Sequence, residues 1–180
     1  MIYYTSDLHL GHSNIIELCN RPFSSIEEMD RTIIQNWNAV VRKNNDVYII
    51  GDFCYKVSVE TAVSYLKRLN GKKHLIIGNH DKKYLLDERF REQFDSVDWY
   101  LEVLDDGYMV CLFHYPIAEW NGYFRQKYYH IYGHVHNSDT SPGVQFIKGE
   151  QKAANAGVDV NYFTPRTLKQ IFPLRQEGSF

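Results

Sequence analysis

Short apolar runs alternate with amphipathic stretches along the first half of the chain. Five runs rich in β-branched and aromatic residues have the composition of strands, and they span residues 2–5, 47–50, 75–77, 109–113 and 129–132. Strands that are separated by helical stretches indicate βαβ units and a largely parallel sheet. The pattern therefore predicts an α/β fold.

Two amphipathic helices follow the first two strands. In the first, apolar side chains recur on one face from residue 26 to residue 40, after two serines that can form capping boxes with Glu27 and Glu28. The second is predicted from Ser58 towards Asn70, and Gly71 suits its C-terminal cap. The chain has no internal repeat and no linker-like stretch, so one domain over residues 1–180 is expected.

The composition is that of a globular protein, with 44% hydrophobic and 23% charged residues. The formal net charge of -2 lacks the overall basic field of a dedicated nucleic-acid-binding protein, although it is compatible with a local positive cleft. Three scattered cysteines without CxxC spacing argue against a disulfide framework. No signal-peptide pattern and no apolar run of membrane-spanning length is seen, so a cytoplasmic protein without a membrane partner is expected.

Polar residues of metal-binding type follow each of the five predicted strands. In an open α/β sheet the carboxyl ends of the strands meet at one edge, and ligands bind there. Residues more than a hundred positions apart are therefore expected to converge. They are Asp7, His9, Asp52, Asn79, His80, His114, His134 and His136.

The residue types indicate a divalent metal site. Imidazole and carboxylate ligands together suit ions such as Mn, Fe, Co, Ni or Zn. The set is too large for one tetrahedral ion but sufficient for two ions that share a carboxylate, and Asp52 is the natural bridge because it offers two oxygens. Two ions about 3.5–4 Å apart support phosphoryl transfer. Each cluster alone could be a surface turn or a helix cap, but their joint occurrence at successive strand ends favours a metal site.

The motifs DLH, GD, GNHD, a lone histidine and GHVH occur in this order between residues 7 and 136. Together they resemble the calcineurin-like metallophosphoesterase superfamily, and DLHLGHSNII is similar to small single-domain bacterial and phage phosphoesterases. The resemblance implies a four-layer α/β/β/α sandwich and two divalent ions per chain (Mn, Fe, Ni or Zn), with Mn expected to serve in vitro. The implied ligands are Asp7, His9 and His136 for the first ion, Asp52 as the bridge, and Asn79, His114 and His134 for the second.

The resemblance implies a catalytic role for His80 rather than a role as a ligand. The His80 ring would face the substrate phosphate and stabilise the transition state or protonate the leaving oxygen, while Asp81 would accept a hydrogen bond from that ring. His12 either reaches the substrate phosphate or lies exposed. Arg125, in the aromatic stretch 121–130, either holds a phosphate beside a stacked base or belongs to a chance cluster of tyrosines.

Two lysines, Lys82 and Lys83, directly follow Asp81. If a helix begins at this point, two cations at its positive end are electrostatically unfavourable. They either help to attract an anionic substrate or are ordinary solvated lysines.

The expected function is that of a dinuclear metal-dependent phosphodiesterase, in which a metal-bridging hydroxide attacks a phosphate ester of a nucleotide, a cyclic nucleotide, a nucleic-acid end or a small phosphodiester. The alternatives are a phosphomonoesterase with the same site and a non-catalytic metal-binding scaffold of the same fold. A metal-dependent amide hydrolase on a (β/α)₈ barrel would need a longer chain, typically about 250 residues. Both a monomer and a homodimer are compatible with the sequence.

Overall fold

Two four-stranded sheets form the centre of the protein in a computed structural model that describes residues 1–173. The first sheet is entirely parallel and has the order β1 (Ile2–Thr5), β2 (Asp46–Ile50), β3 (Lys72–Ile76) and β4 (Ser96–Asp98). The second has the order β5 (Tyr100–Asp105), β6 (Tyr108–Phe113), β7 (Tyr128–Tyr132) and β8 (Ala153–Asn155). Strand β5 is antiparallel to β6, and the other pairs of this sheet are parallel. The predicted α/β class is confirmed.

The two longest helices begin where the sequence places their caps. The Ser25 hydroxyl accepts a hydrogen bond from the backbone N–H of Glu28 at 3.2 Å, and Ser58 does the same for Thr61 at 3.2 Å. Both helices then run without an internal glycine or proline. The helices are α1 (Ile15–Leu18), α2 (Ile26–Val40), α3 (Val59–Arg68), α4 (Glu88–Arg91), α5 (Pro142–Ile147) and α6 (Leu168–Ile171), with 3₁₀ turns over Tyr84–Leu86 and Val158–Val160.

The hydrophobic core has three parts that lie between successive layers. Side chains of α2 and α3, including Trp37 and Leu66, pack on the outer face of the first sheet. Ile50 and Ile131 belong to the cluster between the two sheets. On the far side of the second sheet, Ile147 of the short helix α5 packs with Tyr132. The order of layers is therefore helix, sheet, sheet, helix, and the predicted α/β/β/α sandwich is confirmed.

Parallel pairing aligns the strand ends that carry the polar motifs. Thr5 lies opposite Ile49 in β2, and Ile50 lies opposite Ile76 in β3. The segment after β8 also reaches this edge, where the N–H of Val158 donates to the carbonyl of Ser6 at 3.0 Å. The loops after β1, β2, β3, β6 and β7 consequently share one region of the molecule. No helix within residues 1–173 combines the length and the apolar composition that a membrane crossing requires.

Candidate metal centre

Asp52 lies at the middle of the residues that converge on this edge. Its Oδ2 is 3.5 Å from His9 Nε2 and 3.7 Å from His114 Nε2. The His80 ring is slightly farther away, with Nε2 at 3.9 Å from the same oxygen. Side chains from the loops after β1, β2, β3 and β6 thus surround one carboxylate that is 2% exposed.

The potential ligand atoms form two groups next to Asp52, and Asp7 lies close to both because it also lies within 4.8 Å of Asp52 and His114. Atoms of Asp7, His9 and His136 lie within 4.8 Å of one another. In the second group, Asn79 Oδ1 is 3.0 Å from His114 Nε2 and 3.0 Å from His134 Nδ1. Each group contains the ligands that the resemblance implies for one ion.

His9 has the properties of a metal ligand. Its side chain is 2% exposed, and neither ring nitrogen has a hydrogen-bond partner within residues 1–173. Burial lowers the pKa of His9, and the nearby His136 and Arg21 lower it further. The ring is therefore neutral, which is the form that binds a cation. A buried imidazole without partners is costly unless an ion occupies the space beside it, so these residues fit a divalent metal.

The loops that carry the ligands have a strained backbone. A positive φ in a residue other than glycine costs about 1–3 kcal/mol, and such residues cluster at functional sites. Close packing also requires glycine next to the ligands: a Cβ at Gly78 would overlap Asp52 Oδ1, and one at Gly133 would clash with Ser6 and Asp7. Five potential ligands have φ between 50° and 70°, namely Asp7, His9, Asp52, His134 and His136.

Hydrogen bonds behind the histidines fix which nitrogen faces the centre. His114 Nδ1 lies 2.9 Å from the carbonyl oxygen of Ile50, so Nε2 is directed towards Asn79 and Asp52. His136 Nδ1 lies 2.9 Å from Asp159 Oδ2, which leaves Nε2 for a ligand. Such outer partners orient a metal-binding imidazole and raise its basicity.

Asp159, which is absent from the set predicted from the sequence, is held by a buried arginine. Arg21 donates to both Asp159 oxygens, from Nε at 2.7 Å and from Nη2 at 3.0 Å. The same guanidinium donates to the backbone carbonyls of Asp7 and Leu8 at 2.8 and 2.9 Å. Burial alone would lower the pKa of His136, but the hydrogen bond to Asp159, the contact with Cys19 and the charge of Asp7 together raise it to about 10. Arg21 and Asp159 therefore position both the DLH loop and His136.

Replacing Asp159 with asparagine is expected to weaken Mn²⁺ binding by about 10–100-fold, the usual cost of losing an outer partner of a ligand. Chelator competition would measure the affinity, after near-UV circular dichroism has shown that the variant is folded. Asp139→Asn is the matched control, because Asp139 is exposed and lies three residues after His136. Equal affinities of wild type and Asp159→Asn would rule out the positioning role.

The predicted hydrogen bond from the His80 ring to Asp81 is wrong. Asp81 is fully buried, and its Oδ2 accepts the backbone N–H groups of Gly78 at 2.8 Å and Asp52 at 2.9 Å. Its Oδ1 accepts the N–H of Phe53 at 3.0 Å. Buried backbone donors need partners, and this carboxylate provides three. Burial, together with the charge of Asp52, raises the pKa of Asp81 to about 6. Asp81 thus fastens the GNHD loop to the GD loop.

His80 is oriented by its backbone and by its neighbours rather than by Asp81. Its N–H donates to Asp52 Oδ1 at 2.9 Å, and its ring centroid lies 4.6 Å from that of Tyr55 in an edge-on contact. The side chain is 34% exposed, whereas those of His9 and His114 are 2% and 0% exposed. His80 therefore faces the opening of the cleft.

The two weaker predictions have different outcomes. His12 joins the cluster, with its ring centroid 5.3 Å from His9 and 4.3 Å from Tyr55. Burial, reinforced by His80, lowers the pKa of His12 to about 4. The structure does not bring Arg125 to the centre. Arg125 donates to the hydroxyl of Tyr128 at 2.9 Å, and Tyr128 is the first residue of β7. His134 follows the opposite end of this strand.

A groove of about 580 Å³ adjoins the centre on the side of His134 and His136. Its walls are largely apolar and come from α1, the loop after β6 and the start of α5. The residues that define these walls are Ile15, Leu18, Tyr115, Pro116 and Pro142. The groove is large enough for an organic group attached to a phosphate that lies at the centre.

Two packed sheets with aspartate, asparagine and histidine at their shared edge define a metal-dependent phosphoric ester hydrolase. The chain belongs to the calcineurin-like phosphoesterase family, whose model matches residues 1–163. The resemblance inferred from the motifs is therefore confirmed, and the protein is an enzyme of the metallophosphoesterase class.

Relatives of similar length are found in an archaeon and in a bacterium. Uncharacterized protein MJ1445 of Methanocaldococcus jannaschii is 37% identical over 178 residues, which are 98% of this chain and 92% of that protein. The crystal structure of the protein of unknown function AQ665 from Aquifex aeolicus has a TM-score of 0.73 at 27% identity, and the match covers 95% of this chain and 97% of that one. The gene 66 protein of Mycobacterium phage L5 is 38% identical over 82 residues, which are 44% of this chain and 39% of that protein.

Proposed function

We propose that this enzyme is a dinuclear metal-dependent phosphodiesterase. The observation that carries the proposal is the position of the Asp52 carboxylate between two groups of ligand atoms, with His9 on one side and His114 on the other. One carboxylate can serve two ions because its oxygens have about four lone-pair sites, and Oδ2 is the oxygen that lies near both His9 and His114. Asp7, His9 and His136 would hold the first ion, Asn79, His114 and His134 the second, and Asp52 both.

Divalent ions at these positions would acidify a water molecule and polarise the phosphoryl group. The residues of the chain supply orientation and a proton. The buried Arg21–Asp159 pair keeps His136 in place, and Asp81 holds the loop that contains Asn79 and His80. Because His80 is anchored by its own N–H and is partly exposed, its Nε2 is free to contact a phosphate oxygen and to donate a proton to the leaving group.

A diester is favoured over a monoester by the space around the centre. A phosphodiester has two organic groups, one on each side of the phosphorus. The apolar groove next to His134 and His136 would take one group, and the open surface next to His80 and Tyr55 would take the other. The phosphomonoesterase and the non-catalytic scaffold are the competing functions.

Removal of metal tests the proposal. Protein treated with EDTA is expected to lose hydrolysis of bis(p-nitrophenyl) phosphate and to regain it with Mn²⁺, because the buried His9 ring has no hydrogen-bond partner in the described part of the chain and fits a metal ligand. p-Nitrophenyl phosphate, assayed in parallel, separates the two esterase activities, and faster turnover of this monoester would favour the phosphomonoesterase. Metal-loaded protein that is inert towards both esters and towards 2′,3′-cyclic nucleotides would favour the scaffold.

A further inference from the structure

A group of aromatic and lysine side chains borders the His80 side of the centre. The group, here called the lysine–aromatic rim, consists of Tyr55, Lys56, Lys82, Lys83 and Trp99. Lys56 Nζ and Lys83 Nζ lie 5.2 and 5.5 Å from the centroid of the Tyr55 ring, and Lys82 Nζ lies 4.9 Å from the Trp99 ring. All three lysines are exposed.

The rim is continuous with the residues that face the substrate. The Tyr55 ring centroid is 4.6 Å from that of His80 and 4.3 Å from that of His12. Lys82 and Lys83 follow His80 within three residues, and Trp99 directly follows β4 at the carboxyl edge of the first sheet. A molecule whose phosphate lies next to His80 would therefore extend directly onto the rim.

Within residues 1–173, the three cations of the rim have no acidic partner. No carboxylate of this range lies within 4.0 Å of their Nζ atoms, whereas Arg89 is paired with Glu60 and Asp87. Lys56 and Lys83 both lie next to the Tyr55 ring, so two cations flank one aromatic side chain. This concentration of charge occurs in a chain whose net charge is -2. A bound polyanion would pair with these cations.

Trp99 adds an exposed aromatic face. Its side chain is 51% exposed, whereas Trp37 and Trp120 are 0% and 6% exposed. Aromatic faces next to cations are the chemistry with which proteins bind single-stranded nucleic acids, because bases stack on the rings and phosphates pair with the cations. A substrate with only one phosphate would leave these lysines unpaired, and an acidic peptide would have no base to stack on Trp99.

We infer that the lysine–aromatic rim binds a single-stranded nucleic acid whose next phosphates and bases extend from the phosphate at the metal centre. The inference rests on the proposed function for the position of that first phosphate. Lys56, Lys82 and Lys83 neutralise the backbone beyond it, and Trp99 stacks on a base. The substrate class is thus a polynucleotide strand rather than a free mononucleotide.

Binding to a labelled oligonucleotide of about eight nucleotides, a length within the range of single-strand sites, tests the inference. The Mn²⁺-loaded full chain is mixed with a phosphorothioate-linked oligonucleotide, which resists hydrolysis, and anisotropy is followed between about 50 and 200 mM salt. Lys82→Ala/Lys83→Ala is expected to raise Kd about 10-fold at low salt and to reduce the slope of log K against log salt by about 1.4, or 0.7 for each phosphate that is no longer neutralised. The matched control is Lys43→Ala/Lys72→Ala, which removes two exposed lysines at the amino ends of β2 and β3 and is expected to bind like wild type.

Trp99 provides a second and local signal. Stacking of a base is expected to quench tryptophan fluorescence, and Trp99→Phe should abolish the quenching because the other two tryptophans are buried. Equal weakening by both lysine pairs, or binding without quenching, would overturn the inference. So would an oligoglutamate of matched charge that binds as tightly as the oligonucleotide.

The outcomes for the rim and for the proposed function are separable. Rim-dependent binding by Mn²⁺-loaded protein that hydrolyses no ester would support the rim and refute the phosphodiesterase. Hydrolysis of bis(p-nitrophenyl) phosphate without rim-dependent binding would support the phosphodiesterase and refute the rim.

Discussion

Asp52→Asn is expected to reduce phosphodiesterase activity by more than the roughly 10–100-fold loss that follows removal of an outer partner of a ligand. The substitution removes the carboxylate whose Oδ2 lies 3.5 Å from His9 Nε2 and 3.7 Å from His114 Nε2. An amide has a single oxygen and no charge to offer, so the metal content should fall from two ions to at most one per chain. Elemental analysis of the purified variant and its activity with Mn²⁺ measure the two effects.

The fold should survive this substitution, because the asparagine Oδ1 can still accept the N–H of His80 and the backbone N–H of Asp52 still reaches Asp81. Asp95→Asn is the matched control: Asp95 is exposed and lies just before β4, at the amino edge of the sheet. Full activity in Asp52→Asn, or two ions retained by it, would contradict a shared carboxylate.

The location of the centre can be predicted because the ends of the strands can be recognised in the sequence. Apolar runs such as 47–50 can be recognised from composition, and parallel pairing brings their carboxyl ends to one edge. The residues directly after these runs, Asp52 among them, can therefore be assigned to one site although they are far apart in sequence. The sequence pattern does not predict β4, β5 and β8, because these strands are short or partly exposed and lack a continuous apolar run.

The support behind the ligands cannot be predicted in the same way. Arg21 and Asp159 are 138 positions apart, and no motif joins them. Their pairing depends on how the segment after β8 reaches the end of β1, which is a property of the folded chain. A histidine that binds a metal needs an outer hydrogen-bond partner. An acidic residue after the last strand is therefore the only sequence signal that points to Asp159.

Asp81 illustrates a different limit of sequence reasoning. Its position next to His80 favours a contact between the two side chains, but adjacent residues in a turn can point to different sides. In the structure the carboxylate is directed inwards to the N–H groups of Gly78, Asp52 and Phe53. The requirement to satisfy buried backbone donors outweighs the attraction to a partly exposed imidazole.

Because the His80 ring is not hydrogen-bonded to Asp81, the effect of removing the ring can be predicted more specifically. His80→Ala is expected to keep both ions and to lower kcat by about 10²–10⁴-fold, the usual contribution of a positioned acid–base group. The ions should remain because His80 belongs to none of the clusters of potential metal ligands within residues 1–173 and its side chain is 34% exposed, unlike those of His9 and His114. Metal analysis and steady-state kinetics on one preparation would measure both quantities, and loss of metal would show that His80 is a ligand.

Esters with different leaving groups distinguish two possible roles of His80. If its Nε2 donates a proton to the leaving oxygen, His80→Ala should slow a diester with an alkoxide leaving group far more than bis(p-nitrophenyl) phosphate, because nitrophenolate leaves without protonation. If the ring only stabilises charge on the phosphoryl oxygens, both esters should slow equally. His74→Ala is the control in β3, the strand that precedes His80, since His74 contacts Ser96 and Asp46 away from the centre and its loss should leave both rates unchanged. A proton donor is the expected answer, because His80 lies at the opening of the cleft, where the leaving group would depart.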